Sequence, residues 1–151
     1  MICMRQEPMS IPEQTRQSRL SSNGWKIQRI AKWLDREMDR RLIDHGITVQ
    51  QFAVMMTVLE TDGLSQTQIG RQFSAPAYTI SRAIDHLERA GLLDRRPHPT
   101  SRRTHTIHAT AAGHKLSPAL LAIVQEVNAA LVAPLDTAER DRFSALLTKL
   151  T

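Results

Sequence analysis

A single cysteine, Cys3, is all the thiol chemistry this 151-residue chain contains, and it sits in a polar N-terminal stretch. That excludes a disulfide framework and any cysteine-based zinc pattern. Aromatic residues make up only 4% of the chain against 41% hydrophobic residues, so the core must be built from Leu, Ile, Val, Met and Ala. No uninterrupted apolar run approaches the ~18 residues of a membrane span. The run from Ala119 to Val124 reads as one buried helical face. The N-terminus lacks the continuous apolar segment of a secretory signal, so a cytoplasmic protein with no membrane partner is expected. Gly-x-Ser-x-Gly, His-Glu-x-x-His and glycine-rich phosphate loops are all missing, which removes the motifs of the common enzyme classes. Neither a catalytic residue nor a cofactor is expected.

Acidic residues are also missing where they matter most. From Arg95 to Lys115 there is none. Between Arg71 and His108 seven arginines stand against three acids, an excess of four in a chain whose net charge is +5. A solvated surface usually mixes Glu with Lys along its helices, whereas a one-signed stretch is an electrostatic footprint for a polyanion.

What is present in that stretch has an order. Ile69 and Phe73 sit at i, i+4 in a short helix spanning Gln66 to Phe73. After a turn, the segment from Ala77 to Leu87 places Ile80, Ala83, Ile84 and Leu87 on one helical stripe. Its other face carries Tyr78, Thr79, Ser81, Arg82 and Asp85, short hydrogen-bonding groups suited to base edges and phosphates. Two extended arms follow, near Leu93 to Arg96 and Arg103 to His108, around Pro97-His98-Pro99. Arginine pairs Arg95-Arg96 and Arg102-Arg103 flank that turn. The pattern is a helix-turn-helix with a basic wing.

The remaining segments read as helices. Residues 1–24 are polar, with Pro8 and Pro12 and little periodicity, and are expected to form a flexible arm. From Trp25 to about Asp44, Ile27, Ile30, Ala31, Leu34, Met38 and Leu42 form a stripe, and Gly46 ends the helix. Thr48 to Gln51 is a capping box opening a helix that buries Phe52, Met55, Met56 and Leu59; Asp62-Gly63 stops it. Thr110 caps a long helix with Leu116, Leu120, Val124, Val127 and Leu131 on one side, closed by Pro134. Asp136 to Glu139 is a second capping box, followed by Phe143, Leu146, Leu147 and Leu150. The expected fold is all-α with a small β-hairpin wing. Within one compact domain, residues 46–110 form the winged helix-turn-helix, and 25–45 and 111–151 form flanking helices. Those flanking stripes are too wide for one small head to cover, so pairing with a second copy is expected, giving a homodimer with two reading heads.

In this order and spacing the chain resembles the multiple antibiotic resistance regulator (MarR) family of bacterial transcription factors. The resemblance runs over about Ile27 to Leu150. It rests on Gly46-Ile47-Thr48, Leu64 to Gly70, Tyr78 to Arg95, Pro97 to Arg103 and Thr110-Ala111-Ala112-Gly113. It implies a dimeric winged helix-turn-helix repressor, or less often an activator, acting on a palindromic double-stranded DNA operator. The helix beginning near Ala77 would enter the major groove, Arg103 would reach the minor groove, and the N- and C-terminal helices would form the dimer. The family also implies a small, often aromatic effector between the dimer helices and the reading head. Three positions depart from the family pattern. Ser101 replaces an Asp that braces the wing, Ala109 replaces a Leu at the wing base, and Pro118 lies inside the helix that should begin near Thr110. A kink there, or a helix effectively starting near Ser117, is expected.

The DNA-binding candidates are therefore Tyr78, Thr79, Ser81, Arg82, Arg95, Arg96, Arg102 and Arg103. Arg82 is long enough for a bidentate guanine contact, Arg95 and Arg96 suit phosphates or bracing, and Asp85 suits orientation of an arginine by an ion pair. Trp33, Met38, Met55 and Met56 are effector-cleft candidates that helical spacing alone would place in the core. His98, His105, His108 and His114 raise a metal reading, but His105 and His108, three apart on an extended arm, face opposite sides, so no metal ligand set is assigned. Two rivals remain beside the effector-released repressor: a zinc-responsive regulator and an architectural protein that coats DNA without sequence preference.

Overall fold

The computed structural model describes residues 10–73, 75–98 and 101–151, with the side chains of Ser101, Arg102 and Arg103 outside that description. Where one compact domain was expected, the chain divides into two compact units, one running to Arg36 and the other Glu37–Thr151.

The first unit corrects the expectation of an arm without regular structure. Helix α1 spans Ile11–Ser21 and is followed by α2, Asn23–Leu42. Pro12 lies in the first turn of α1, where a backbone N–H would have no helical acceptor. The Glu13 carboxylate accepts from the Ser10 amide at 3.0 Å and from the Ser10 hydroxyl at 2.8 Å. No residue of α1 is buried, so local capping rather than packing holds the helix together.

The second unit begins within α2. Gly46 closes the helix and its 3-10 extension (Ile43–His45) at φ 67°, a left-handed conformation that glycine adopts without a Cβ penalty. Helix α3 (Val49–Glu60) opens with the expected box, Thr48 accepting from the Gln51 amide and Gln51 from the Thr48 amide. Its buried residues are Val54, Met55, Thr57 and Val58, while Phe52, Met56 and Leu59 are half-buried. The helix is thus enclosed on a different and wider arc than the expected stripe, because it packs on α5 (Ala77–Arg89), α6 (Ala111–Val132) and the sheet at once. Helix α4 (Gln66–Phe73) has the expected bounds, with Ile69 buried but Phe73 exposed.

The sheet has three strands rather than two, in the order β1-β3-β2. The wing strands β2 (Leu93–His98) and β3 (Ser101–Ala109) pair antiparallel with Arg95 opposite Ile107 and Arg96 opposite Thr106. The added strand β1, Leu64–Ser65, pairs with Ile107 and Thr106 on the free edge of β3. Two residues are too few for an alternating pattern to reveal. The core between sheet and helices is Leu42, Ile47, Val54, Met55, Val58, Ile69, Ile80, Ile84, Leu87, Leu93, Ile107, Leu120 and Val127.

Pro118 neither ends nor delays α6. The helix begins at Ala111, capped by Thr110, whose hydroxyl accepts from the Gly113 amide at 3.1 Å. Gly113 pins that first turn: a Cβ there would lie 2.3 Å from the Leu92 carbonyl oxygen and 2.6 Å from Met55 Cε. Leu120, Ile123 and Val127 are buried, Leu116, Val124 and Leu131 half-buried. By length and composition α6 is the one described helix able to cross a membrane, and few of its residues are covered within the chain. Helix α7 (Thr137–Leu150) has its expected Asp136 box but no buried residue; Leu146, Leu147 and Leu150 are exposed.

Candidate nucleic-acid interface

The candidate reading surface is built from α4 and α5. Ile80, Ala83, Ile84 and Leu87 anchor α5 in the core, as the spacing predicts. That anchorage turns Tyr78 and Arg82 outward, exposed, with Thr79 and Ser81 half-buried beside them. The Gln66 side-chain amide donates to the Ala77 carbonyl at 3.3 Å, so the first residue of α4 is tied to the first of α5. A Ser65–Gln68 box, with Gln68 Oε1 accepting from the Ser65 amide at 2.8 Å, fixes the entry to α4.

The wing arginines divide into two kinds. Arg95 is half-buried and donates from one guanidinium nitrogen to Asp85 and from another to Glu88, both on α5. This joins strand β2 to the recognition helix, and Arg95 is committed to bracing. Asp85 makes the arginine ion pair assigned to it from the sequence. Arg96 is more exposed and pairs with Asp94, at 3.1 Å. The side chains of Arg102 and Arg103, and the Ser101 departure, lie outside the described residues.

Two histidine contacts carried no sequence signal. His86 Nε2 lies 3.0 Å from the Gly46 carbonyl; a carbonyl only accepts, so this nitrogen carries the proton and fastens α5 to the α2–α3 turn. His108, read as a wing-surface residue, is half-buried with Nδ1 2.7 Å from Asp62 Oδ2 and Nε2 2.9 Å from the Thr106 hydroxyl. Asp62 Oδ1 also accepts from the Ala109 amide at 3.2 Å, so one carboxylate after α3 clasps the wing base where Ala109 stands. Burial pushes the Asp62 carboxyl up. The hydrogen bonds from His108 and the Ala109 amide, with the charges of His108 and Arg96, outweigh it and hold the group below its ordinary value.

The effector candidates fall in both units. Met55 is fully buried against Gly113, Met38 and Met56 are half-buried, and Trp33 is half-buried within the first unit. Two open clefts in the second unit have other linings. One is formed by Asp39, Ile43, Gly46, Ile47, Thr48, Gln51 and His86, the other by His45, Ala90, Leu92, Ala112, Lys115 and Leu116. Among the described residues no cluster of three or more His, Cys, Asp or Glu is placed to hold a metal ion.

A recognition helix anchored on a core and braced to a basic antiparallel hairpin defines a winged helix-turn-helix protein. The family model described as MarR family matches residues 45–104, the span from the turn before α3 to the wing. Over that span the chain is similar to the MarR family of transcriptional regulators. It is similar to an HTH-type transcriptional repressor of Mycobacterium tuberculosis, 26% identical over 127 residues, which covers 84% of this chain and 91% of that one. Its fold is similar to that of the reduced form of MarR from E. coli, with TM-score 0.81 and 23% identity over 85% of this chain and 96% of the other. The S. aureus MepR–DNA complex is similar at TM-score 0.74 and 27% identity, covering 85% of this chain and 96% of that one.

Proposed function

We propose that this regulator is a homodimeric, cytoplasmic repressor that reads a palindromic DNA operator and is released by a small, aromatic effector. The observation that carries the reading is α5. Its apolar stripe is buried, while Tyr78 and Arg82 stand exposed beside Thr79 and Ser81, with Arg95 bracing the helix from the wing. Such a helix presents a fixed row of donors and acceptors to a major groove. Arg96 would meet phosphates, Arg102 and Arg103 the minor groove. The similar S. aureus protein is described in complex with DNA, and the similar mycobacterial protein is named a repressor.

The dimer reading rests on surface that one chain leaves uncovered. Leu121 of α6 and Leu146, Leu147 and Leu150 of α7 are all exposed in the same unit. A second copy packing its own α6 and α7 there would bury them with two-fold symmetry. For the effector, Trp33, Met38, Met55 and Met56 remain the sequence-based candidates. The cleft beside His86 adds a means of release, because a ligand displacing the His86–Gly46 hydrogen bond would free α5 from the α2–α3 turn.

Selection from a pool of random duplexes tests the reading. The expected product is a two-fold symmetric sequence whose half-sites lie about one helical turn, ~10 base pairs, apart. Enrichment of no sequence would assign the protein to sequence-independent DNA coating. Enrichment only when zinc is added would favour a metal-responsive regulator.

A further inference from the structure

The arginine-rich stretch of the reading head does not hold the protein's net charge. Residues 37–151 contain thirteen Lys and Arg against twelve Asp and Glu, so acids elsewhere in that unit offset the wing. The first 36 residues contain seven against three. Four of the five net positive charges therefore belong to the N-terminal unit.

The helices organise that charge. On α2, Trp25, Arg29, Lys32 and Arg36 are spaced i, i+4, i+7, i+11, one stripe of a 3.6-residue helix about 16 Å long. Ile27, Ile30, Leu34 and Met38 form the opposite stripe. The cations therefore point away from the apolar face assigned above to dimerisation. Arg29, Lys32 and Arg36 are exposed, and among the described residues none of them, nor Arg16 and Lys26, forms an ion pair with an acid. The one carboxylate between them in sequence, Asp35, lies at the stripe's margin. At the helical corner Arg19 of α1 stacks over Trp25, its guanidinium carbon 5.3 Å from the ring centroid, and Trp25 remains 38% exposed. A row of cations without acidic partners, with an aromatic at its end, has the charge and spacing to follow a phosphate backbone.

We propose that the outer face of α2, with Arg19 of α1, is a second DNA-contacting surface that binds the phosphate backbone independently of sequence. The inference rests on the DNA-binding reading and adds to it a source of affinity outside the winged helix. Its occupant is duplex DNA because the face offers long, mobile cations and no hydrogen-bond acceptor row, the chemistry that neutralises phosphates.

The test compares the unmodified chain with an Arg29→Gln, Lys32→Gln, Arg36→Gln variant; glutamine keeps helix propensity. Binding of fluorescent random-sequence duplexes of 20 and 40 base pairs is titrated at several salt concentrations. The slope of log K against log salt should become shallower by about 0.9 for each phosphate the variant no longer neutralises. The affinity increase on lengthening the duplex should shrink as well. Circular dichroism and sedimentation confirm that the variant keeps its helices and oligomeric state; a second variant, Arg29→Gln alone, serves if the triple variant does not. Equal slopes and equal length dependence in a folded variant would overturn the inference while leaving the winged-helix reading intact. Failure of the unmodified chain to bind either duplex would instead overturn the DNA-binding reading itself.

Discussion

Arg95 on the first wing strand forms an ion pair with Asp85 on the recognition helix, and the same guanidinium reaches Glu88 one turn further along. A strand and a helix seven to ten residues apart in sequence are thereby held at a set angle. The carboxylates are 48% and 39% exposed, so solvent screens much of the attraction. In a double-mutant cycle of Arg95→Met and Asp85→Asn, a coupling of about 1 kcal/mol is expected from urea unfolding. DNA affinity should fall further than stability, because the wing loses its alignment. A coupling near zero with unchanged DNA binding would show that the brace does not set wing geometry.

Gly113 is where α6 meets the start of the wing. An added methyl group would sit far inside van der Waals contact with the Leu92 carbonyl oxygen, and that oxygen also accepts from the Thr110 amide at 3.1 Å. Backbone cannot rotate aside as a side chain can. Gly113→Ala should cost about 3 kcal/mol, at the upper end of overpacking effects. Thr110→Ala, removing the cap and the hydroxyl's bond to the Gly91 carbonyl, should cost about 1–2 kcal/mol. Thermal denaturation of both variants checks the ranking.

The Asp62 clasp makes a pH-dependent contribution of known sign. Its carboxyl titrates lower in the folded chain than in the unfolded one. The resulting stabilisation is present above the unfolded value, about 3.9, and is lost as pH falls through the lower folded value. Asp62→Asn should therefore flatten the dependence of the urea midpoint on pH below about 4. An unaltered acid slope would show that the clasp carries no charge-linked stability.

Removal of residues 136–151 should expose the apolar surface of α6 and leave the chain monomeric or insoluble. Sedimentation of the truncated chain as a stable dimer would place the interface elsewhere.

Much of this architecture is legible in the sequence because it is local. The bounds of α4, the buried stripe of α5 and the boxes at Thr48 and Asp136 depend on residues within two turns of one another. What escaped depends on distance or on context. His86 meets Gly46 forty residues away, and His108 meets Asp62 forty-six away; no periodicity encodes such pairs. Strand β1 exists only because β3 offers it an edge. Pro118 reads as a kink or a late start until the anchorage of Gly113 is seen. The outward face of α5 was legible, since the face opposite a buried stripe is determined once the stripe is.

The central claim, that α5 reads DNA sequence, is tested most directly at Arg82. Arg82→Ala should be compared with the unmodified protein on the duplex selected from the random pool, on single-base variants of it and on an unrelated duplex. A loss of about 1–3 kcal/mol on the selected duplex is expected, with discrimination relaxed at one base position in each half-site and little change on the unrelated duplex. An equal loss on every duplex, or no loss on any, would contradict it.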